Sequence, residues 1–403
     1  MRKKILFINC SDSGSTGTII RDTVLSLDKK IWESYLCVPR INSEVSIFKD
    51  VFEISMRYEQ GVYYRISKYI SNPLGFAPLS TFRIKRIINT LKPDVIHVHC
   101  INSYMCNVYE TLQYIKESEI PVVVTNHAEF YYTGSCNHAN ECNQWIEGCM
   151  ECSQLKNPFL ARNYWNKMKS VFIGFHKCVV TSVSPWVLSR SSKSGIMKSI
   201  PQILVENGVD TSVFRPCDAT SLRDALGISL NTKVILHVTS LYSSTSGHSK
   251  GGVYIKELAS RFKGENVLFL IVGNHYERNV SGNMKLCGRV ASREELARYY
   301  SLADLTVLVS KRETFSMPLA ESLCCGTPVI GFEAGGPESI ALSNYTSFCK
   351  YGDLDALERI IRNCGLYIKE KFGRQIAIDA INRYDSCKMS DSYINLYKKL
   401  LDI

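Results

Sequence analysis

The stretch ETFSMPLAESLCCGTPVIGF, residues 313–332, predicts a loop, a short helix and a strand in immediate succession. Ser316 suits the cap of this helix and Pro318 its first turn, while a glycine marks the exit. Glu313 then lies in the loop and Glu321 within the helix. At a rise of about 1.5 Å per helical residue, the two carboxylates are too far apart to share one proton. They can instead bind different hydroxyls of one elongated ligand, and the loop amides and the positive end of the helix favour a phosphate nearby.

Two sets of short apolar runs, rich in β-branched residues, alternate with helix-length segments along the chain. The first set covers residues 5–10, 35–38, 95–99, 122–126 and 179–183, and the second covers residues 234–239, 267–272, 305–309 and 329–332. This rhythm is typical of parallel sheets with crossover helices. We therefore predict an α/β protein with two Rossmann-like parallel-sheet domains.

The length of 403 residues exceeds what one hydrophobic core usually supports, and a hydrophobic content of 45% is ample for two. We place an N-terminal domain at residues 1–200, a second domain at residues 201–380 and a C-terminal helix at residues 381–403 that packs back toward the N-terminal domain. A hinge is expected near residues 190–205, where the chain is polar and contains Ser and Gly. Because ligands of open α/β sheets bind beyond the carboxyl ends of the strands, we expect the binding site in a cleft between the domains.

The net charge of +10 is concentrated in the first half of the chain. Residues 1–200 contain 24 Lys and Arg against 16 Asp and Glu, and within them residues 57–92 contain the single acid Glu59. The basic side chains of residues 57–92 are Arg57, Arg65, Lys68, Arg83, Lys85, Arg86 and Lys92, interleaved with Tyr58, Tyr63, Tyr64 and Tyr69. This mixture is typical either of a solvated helix face or of a surface that rests on acidic lipid headgroups. The sequence shows neither an apolar run of about 18 residues nor a signal-peptide pattern, so we expect a cytoplasmic protein.

The stretch around Glu313 and Glu321 resembles the retaining glycosyltransferases of family 4. Members have the GT-B fold and carry two glutamates that are separated by seven residues and followed by a Gly-Thr-Pro-Val strand, which residues 326–329 reproduce. The resemblance implies that Glu313 binds hydroxyls of the transferred sugar, with help from the backbone amides near Phe315 and Ser316. It also implies that Glu321 binds the ribose hydroxyls of a nucleotide-sugar donor.

Three shorter segments extend the resemblance: Asn207-Gly-Val-Asp with Phe-Arg-Pro at residues 214–216, Lys250-Gly-Gly, and Gly335-Gly-Pro-Glu. The resemblance implies that Lys250 neutralises the donor diphosphate. Family members usually carry an arginine shortly before this lysine, whereas the loop at residues 240–249 contains neither Arg nor Lys. Diphosphate binding then depends on Lys250 alone or is shared with Arg289, which follows a predicted strand.

The loop after the first apolar run contains Gly14, Ser15 and Gly17. Their spacing does not fit the full Gly-x-Gly-x-x-Gly fingerprint, so the loop alone does not support binding of a nicotinamide cofactor. The family resemblance implies that the loop closes over the donor phosphates and the acceptor.

Three histidines follow or lie in strands of the first half. His127 directly follows the run at residues 122–126, which places it at the carboxyl end of a strand. A packed or surface histidine is the ordinary interpretation, whereas the resemblance implies contact with the transferred sugar. His97 and His99 alternate along their strand and share one sheet face, where structural roles are expected.

Cysteine is frequent, with 16 residues. Most stand singly in apolar runs, where a reduced thiol serves as a small buried hydrophobe, and a reducing compartment fits this use. Cys136, Cys142, Cys149 and Cys152 instead lie within seventeen residues of one polar loop. Four thiols can form a tetrahedral zinc site, although the first pair is farther apart than in common zinc motifs. Structural zinc, reduced thiols and a redox pair are all open interpretations of this loop.

Together these features predict a retaining, metal-independent hexosyltransferase. The donor is expected to be a UDP- or GDP-sugar. The acceptor is expected to be a saccharide on a lipid diphosphate, because the basic first half suits an anionic lipid at a membrane surface. The cysteine loop resembles those of family members in colanic-acid and O-antigen synthesis, which implies a role in lipopolysaccharide or other cell-surface polysaccharide biosynthesis, peripheral on the inner face of the plasma membrane.

Two other classes of function are weighed against this prediction. Basic charge and the cysteine loop also fit a zinc-stabilised nucleic-acid-binding protein, but that interpretation leaves the two-glutamate helix unexplained and lacks an aromatic RNA-binding motif. We therefore do not expect nucleic acid as a partner. The other class comprises a GT-B epimerase or phosphorylase, or a nicotinamide-dependent oxidoreductase.

Overall fold

The computed structural model describes residues 1–43, 45–72, 74–102, 104–277, 280, 282–290 and 292–403. The chain divides into two compact units. The first unit contains Met1–Asn207 and Cys387–Ile403, and the second contains Gly208–Ser386.

Within the described residues, the sheet of the first unit has seven strands, all parallel, in the order β3-β2-β1-β4-β5-β6-β7. The strands are β1 Lys3–Ile8, β2 Trp32–Val38, β3 Asp50–Glu53, β4 Val95–Val98, β5 Val122–Asn126, β6 Cys178–Ser182 and β7 Gln202–Leu204. The central β1 pairs with β2 on one side and β4 on the other, and residues 5–8 of this strand are fully buried. The predicted alternation of strands and helices is confirmed in this unit.

The described part of the second unit contains a sheet of six parallel strands in the order β10-β9-β8-β11-β12-β13. The strands are β8 Lys233–Tyr242, β9 Val267–His275, β10 Met284–Gly288, β11 Leu305–Leu308, β12 Val329–Phe332 and β13 Thr346–Cys349. Two Rossmann-like parallel-sheet units are therefore present, as the strand pattern predicts.

Helices connect the strands in both units. They are α1 Gly14–Leu25, α2 Glu59–Tyr69, α3 Pro78–Leu91, α4 Val108–Glu117, α5 Phe130–Thr133, α6 Ala161–Phe172, α7 Pro185–Lys193, α8 Thr220–Ala225, α9 Gly252–Arg261, α10 Arg293–Leu302, α11 Met317–Cys324, α12 Gly336–Ile340, α13 Leu354–Ile360, α14 Ile368–Tyr384 and α15 Ser386–Leu400. Short 3-10 turns occur at Gln144–Ile146 and Pro158–Leu160, and a π-helical turn at Ile361–Gly365. Among the described helices, none combines the length and the apolar character that crossing a bilayer requires.

Residues 190–205, the expected hinge, are structured as part of the first unit. Ser184 caps α7 by accepting a hydrogen bond from the N–H of Val187 (3.2 Å), and a proline occupies the first turn. The helix therefore continues into the serine-rich segment, and β7 follows as the edge strand of the first sheet. The division between the units falls after Asn207.

The C-terminal segment also differs in detail from the expected single helix at residues 381–403. The second unit continues to the end of α14 and Ser386, after which α15 belongs to the first unit. Its buried face, which includes Tyr393 and Tyr397, joins the core formed by β1, β2 and α1. The hydroxyl of Tyr397 lies 2.6 Å from Nδ1 of His97, so the last helix is anchored by a buried polar contact as well as by apolar packing.

Candidate donor site in the second unit

Lys250 and Glu313 are brought together at the carboxyl ends of two neighbouring strands. Lys250 lies between β8 and α9, and Glu313 follows β11. The Lys250 Nζ is 2.6 Å from the Glu313 Oε1, and both side chains are only partly exposed. Because β8 and β11 are adjacent in the parallel sheet, the loops that follow them meet at one edge, where α/β proteins bind ligands.

A close approach of two backbone segments fixes Lys250. Gly251 adopts φ +67° at the start of α9, and a Cβ at this position would overlap the carbonyl oxygen of Val309. The N–H of Lys311 donates to the carbonyl oxygen of Ser249 at 2.8 Å, which joins the same two loops a second time. The glycine after Lys250 is therefore required by packing against the strand that leads to Glu313.

The glycine-rich turn at residues 335–338 holds the Glu313 loop in place. Glu313 and Gly335 form an isolated parallel bridge, and the Glu338 carboxylate accepts the N–H groups of Ala334 (3.0 Å) and Gly335 (2.6 Å). A Cβ on Gly336 would lie 2.6 Å from the backbone nitrogen of Phe315. The turn thus supports the loop that carries Glu313 by backbone contact.

The helix start at Ser316 differs from the predicted cap. Ser316 occupies the N-cap position of α11, and Pro318 lies in the first turn as predicted. Within the described chain, however, the Ser316 side chain makes no capping hydrogen bond, because the residue adopts φ +86°. A left-handed conformation is costly for a residue with a Cβ and is found mostly at functional sites.

Glu321 lies inside α11 and contacts the side chain of Tyr300 from α10. The Tyr300 hydroxyl donates to Glu321 Oε2 at 3.0 Å. Burial raises the pKa of Glu321 to about 7, and the Tyr300 hydrogen bond and the nearby Arg293 guanidinium oppose this shift. The Arg293 guanidinium lies 5.5 Å from the ring centre of Phe214, and Tyr300 contacts the same ring edge-on. The sequence did not identify Tyr300 as a site residue. A tyrosine in a helix is expected to pack in the core, and its hydrogen-bond partner cannot be inferred from the sequence.

A pocket of about 350 Å³ lies against the carboxyl-terminal parts of β8 and β9 and the residues that follow β10. Its lining includes Thr239, Ser240, Gly273, Asn274, Arg289 and Pro318. Arg289, which was predicted as a diphosphate partner, therefore lines the same cavity as Pro318 at the start of α11. Thr239 ends a predicted apolar run, and Ser240 and Asn274 lie just after predicted runs, so position at the carboxyl end of a run was the signal that could have identified them.

Gly14, Ser15 and Gly17, which the sequence predicted in a loop, lie at the start of α1 in the structure. Gly14 begins α1 at φ +72°, and Ser15 and Gly17 lie in the first turns of the helix. A Cβ on Gly17 would lie 2.5 Å from the backbone of Asp12. The Asp12 carboxylate accepts the N–H groups of Asn42 and the following serine at 2.6 and 2.7 Å, so the loop is tied to the segment after β2.

His127 follows β5, as predicted, and contacts a second histidine. Its Nε2 lies 2.9 Å from Nδ1 of His99, and burial lowers the pKa of His127 to about 3. The His97 ring lies 3.9 Å from that of His99, and its Nε2 is 2.7 Å from the Thr125 hydroxyl. These three imidazoles are neutral at neutral pH, so His127 can act as a hydrogen-bonding group and not as a cation.

The four cysteines of the polar loop line one pocket of about 250 Å³. Sγ of Cys136 and Sγ of Cys152 are 4.0 Å apart, and this contact lowers the pKa of Cys152. Burial raises the pKa of Cys149 to about 11, while Cys142 is exposed. In the part of the chain that the structure describes, no three His, Cys, Asp or Glu side chains are already arranged to hold a metal ion. The zinc site stays a prediction, which metal analysis of the purified protein tests.

The Gly336→Ala substitution tests the support of the Glu313 loop. The added methyl group overlaps the backbone of Thr314 and Phe315, so we expect the free energy of unfolding to fall by about 1–3 kcal/mol. Thermal unfolding measures this change. Gly282→Ala is the matched control, because the space around that glycine is open. Equal stability of the two variants would contradict the proposed support.

The Glu321→Gln substitution tests the electrostatic cost of the buried carboxylate. Because the pKa of Glu321 is raised in the folded protein, the fold retains its proton between about pH 4.5 and about pH 7, and stability falls as the pH rises through this range. We expect the glutamine variant to gain up to about 3 kcal/mol over the wild type above pH 7 and nothing below about pH 4.5. Thermal unfolding at both pH values measures the difference. Glu333→Gln, at an exposed carboxylate, should show no such pH dependence.

Comparison with known families accounts for most of the chain. Residues 18–213 match the model described as Glycosyltransferase Family 4, and residues 218–364 match the model described as Glycosyl transferases group 1. N-acetyl-alpha-D-glucosaminyl L-malate synthase of Bacillus anthracis is 25% identical over 222 residues, which cover 50% of this chain and 57% of the relative. D-inositol 3-phosphate glycosyltransferase of Mycobacterium tuberculosis is 25% identical over 180 residues, which cover 40% of this chain and 36% of the relative. The chain thus matches between about a third and three fifths of the length of these curated relatives.

Solved structures resemble the whole chain. Sucrose-phosphate synthase from Thermosynechococcus elongatus superposes with a TM-score of 0.71 at 15% identity and covers 100% of both chains. Anabaena HepE in complex with UDP superposes with a TM-score of 0.70 at 15% identity and covers 98% of this chain and all of its own. At such identities the likeness shows the fold alone, and that fold is GT-B. The chain therefore contains a segment that matches the Glycosyltransferase Family 4 model, followed by a segment that matches the Glycosyl transferases group 1 model.

Proposed function

We propose that this protein is a retaining glycosyltransferase that moves a hexose-type sugar from a UDP- or GDP-sugar to a saccharide acceptor linked to a lipid diphosphate. Its product would enter cell-surface polysaccharide biosynthesis. The observation that carries the proposal is the contact between the Lys250 ammonium and the Glu313 carboxylate, 2.6 Å apart at the carboxyl edge of the second sheet.

This contact places side by side the two groups that would bind the sugar and the diphosphate of a donor. A carboxylate accepts hydrogen bonds from sugar hydroxyls, and an ammonium neutralises a phosphate. Because the two groups touch, a ligand whose sugar reaches Glu313 has its diphosphate within reach of Lys250. Both side chains are partly exposed, so replacing their ion pair by a ligand costs little.

The nucleotide end of the donor is assigned to the pocket against β8 and β9. Its volume of about 350 Å³ is in the range of small-molecule sites. Glu321 lies on α11, the helix whose Pro318 lines this pocket, and we assign the ribose hydroxyls to its carboxylate. Arg289 would add a second positive charge for the diphosphate, in place of the arginine that family members carry before the lysine.

The proposed chemistry depends on positioning and on stabilising the leaving anion. Lys250 and the amides near Phe315 and Ser316 would favour the charge that develops on the departing diphosphate. In retaining enzymes of this type, that diphosphate oxygen is thought to take the acceptor proton on the same face of the sugar. His127, held neutral, would bind the transferred sugar, and Gly14, Ser15 and Gly17 at the start of α1 would contact the phosphates and the acceptor.

Donor turnover is the first test of the proposed function. We expect the wild type to hydrolyse one nucleotide sugar slowly in a panel of UDP- and GDP-sugars without acceptor. Lys250→Ala should lower kcat/KM about 10- to 100-fold, because a charged hydrogen bond to the diphosphate is lost. Glu321→Ala should chiefly raise the KM for the donor, and Glu313→Ala should chiefly lower kcat.

Lys256→Ala is the matched control for the lysine variant, because Lys256 is exposed on α9. It should keep wild-type kinetics. Wild-type kinetics in all three site variants would refute the assignment, and turnover of none of the panel combined with tight, salt-sensitive RNA binding would favour the nucleic-acid alternative.

A further inference from the structure

Two consecutive helices of the first unit expose an unusual number of aromatic side chains. Tyr58 precedes α2 and is 72% exposed, and Tyr69 at the end of the same helix is 79% exposed. On α3, Leu79 and Phe82 are 55% and 64% exposed. We call the outward faces of α2 and α3 the α2–α3 surface. Scattered exposed apolar side chains are ordinary, whereas a cluster of large ones marks a contact surface.

The exposed side chains follow helical spacing, so they form stripes. Val62, Arg65 and Tyr69 recur at intervals of three and four residues along α2, and Tyr58 directly precedes this helix. On α3, Leu79, Phe82 and Arg86 recur at intervals of three and four residues, and all are exposed. Each stripe therefore combines apolar and basic groups on one outward face.

The inward faces of both helices are already occupied. Tyr63 and Ser67 of α2 are buried, as are Ser80, Ile84 and Ile88 of α3. The outward side chains are thus additional to those that attach the helices to the unit. Packing within the first unit therefore does not explain why large apolar side chains stand on the outward faces.

Glu59, the single acidic residue of residues 57–92, makes its contacts within the α2–α3 surface. The Glu59 carboxylate binds the Arg83 guanidinium at 2.7 Å, accepts from the Ser80 hydroxyl at 3.3 Å and contacts the Tyr63 hydroxyl. This network joins the start of α2 to α3. The outward charges of residues 57–92 are therefore basic, and one of them, Lys85, is paired with Glu110 of α4.

The basic groups on the outside lie against aromatic rings. The Arg57 guanidinium is 4.9 Å from the ring centre of Tyr58, and the Lys68 ammonium is 5.9 Å from that of Tyr64. Lys156, from the loop before α6, lies 5.4 Å from the ring of Tyr69. The surface therefore interleaves cations and aromatic rings.

We propose that the α2–α3 surface docks on the anionic face of a lipid bilayer. Aromatic side chains insert at the level of the headgroups, and Arg65, Lys68 and Arg86 contact acidic lipid headgroups. Each basic residue near such a surface increases partitioning about fivefold. The proposal deepens the proposed function and rests on it in one respect, since a lipid-linked acceptor is reached from a membrane surface.

Charge and side-chain type favour a bilayer over other occupants. Interfacial belts of proteins at membranes combine tyrosine with lysine and arginine, as this surface does. A second copy of the chain would place one basic face against the same basic face of its partner, which is unfavourable. The proposal therefore commits to anionic lipid.

Vesicle flotation tests the proposal without requiring turnover. The full-length protein is mixed with vesicles of phosphatidylcholine alone or of phosphatidylcholine with phosphatidylglycerol. We expect at least about tenfold preference for the anionic vesicles, as several basic residues act together. The variant Arg65→Gln, Lys68→Gln, Arg86→Gln should lose this preference, and Tyr69→Ser, Phe82→Ser should lower binding to anionic vesicles at least about tenfold.

The matched control is Leu230→Ser, Tyr276→Ser in the second unit, where both side chains are similarly exposed, at 87% and 85%. It should bind vesicles like the wild type. Donor hydrolysis is measured for every variant and should stay at the wild-type level. Equal vesicle binding by all variants, or absence of binding to anionic vesicles, would overturn the docking proposal. Self-association that both α2–α3 variants abolish, without vesicle binding, would instead identify a second copy as the occupant.

The two proposals fail in distinguishable ways. Hydrolysis of a nucleotide sugar without vesicle binding refutes the docking surface and leaves the proposed function. Vesicle binding without turnover of any nucleotide sugar supports the docking surface and refutes the proposed function.

Discussion

The carbonyl oxygen of Val309 lies so close to Gly251 that no side chain fits between them, and the position of Lys250 depends on this approach. A second approach, of Gly336 to the backbone of Thr314 and Phe315, holds the loop of Glu313 in the same way. Both glycines serve parallel strands whose following loops must meet at one edge of the sheet. The chemistry proposed for this edge therefore rests on backbone packing that only glycine permits.

Two energetically unfavourable features also lie at this edge of the second sheet. Ser316 adopts a left-handed backbone conformation, and burial disfavours the charged form of Glu321. Each feature opposes the stability of the folded chain, and both belong to the segment that forms α11. Such local costs are typical of sites at which a ligand supplies the missing interactions.

The central strands could be predicted from the sequence more fully than the edge strands. The predicted runs at residues 122–126 and 329–332 coincide with β5 and β12, because strands covered on both faces are continuously apolar. The pattern of apolar runs missed the edge strands β3, β7 and β13, and the fourth edge strand, β10, was predicted only as the strand before Arg289. Their side chains are partly exposed and of mixed polarity, so periodicity carries little signal there. The GT-B fold followed from the central strands and the family resemblance.

The candidate site could be predicted in part for a similar reason. Position directly after an apolar run identified His127, and the family resemblance identified Lys250 and Glu313; in the structure all three lie in segments that follow strands. The contacts of Glu321 with Tyr300 and of His127 with His99 join elements distant in sequence, so no local pattern announces them. Their roles toward a substrate remain proposals.

Hydrogen–deuterium exchange of the backbone amides with and without UDP or GDP tests the central claim most directly. If the carboxyl edge of the second sheet binds the nucleotide of the donor, one of the two nucleotides should slow exchange at residues 239–252, 273–274 and 313–321 and leave the outer helices of that unit unchanged. Slowed exchange confined to other segments, or unchanged exchange at saturating concentrations of both nucleotides, would contradict it.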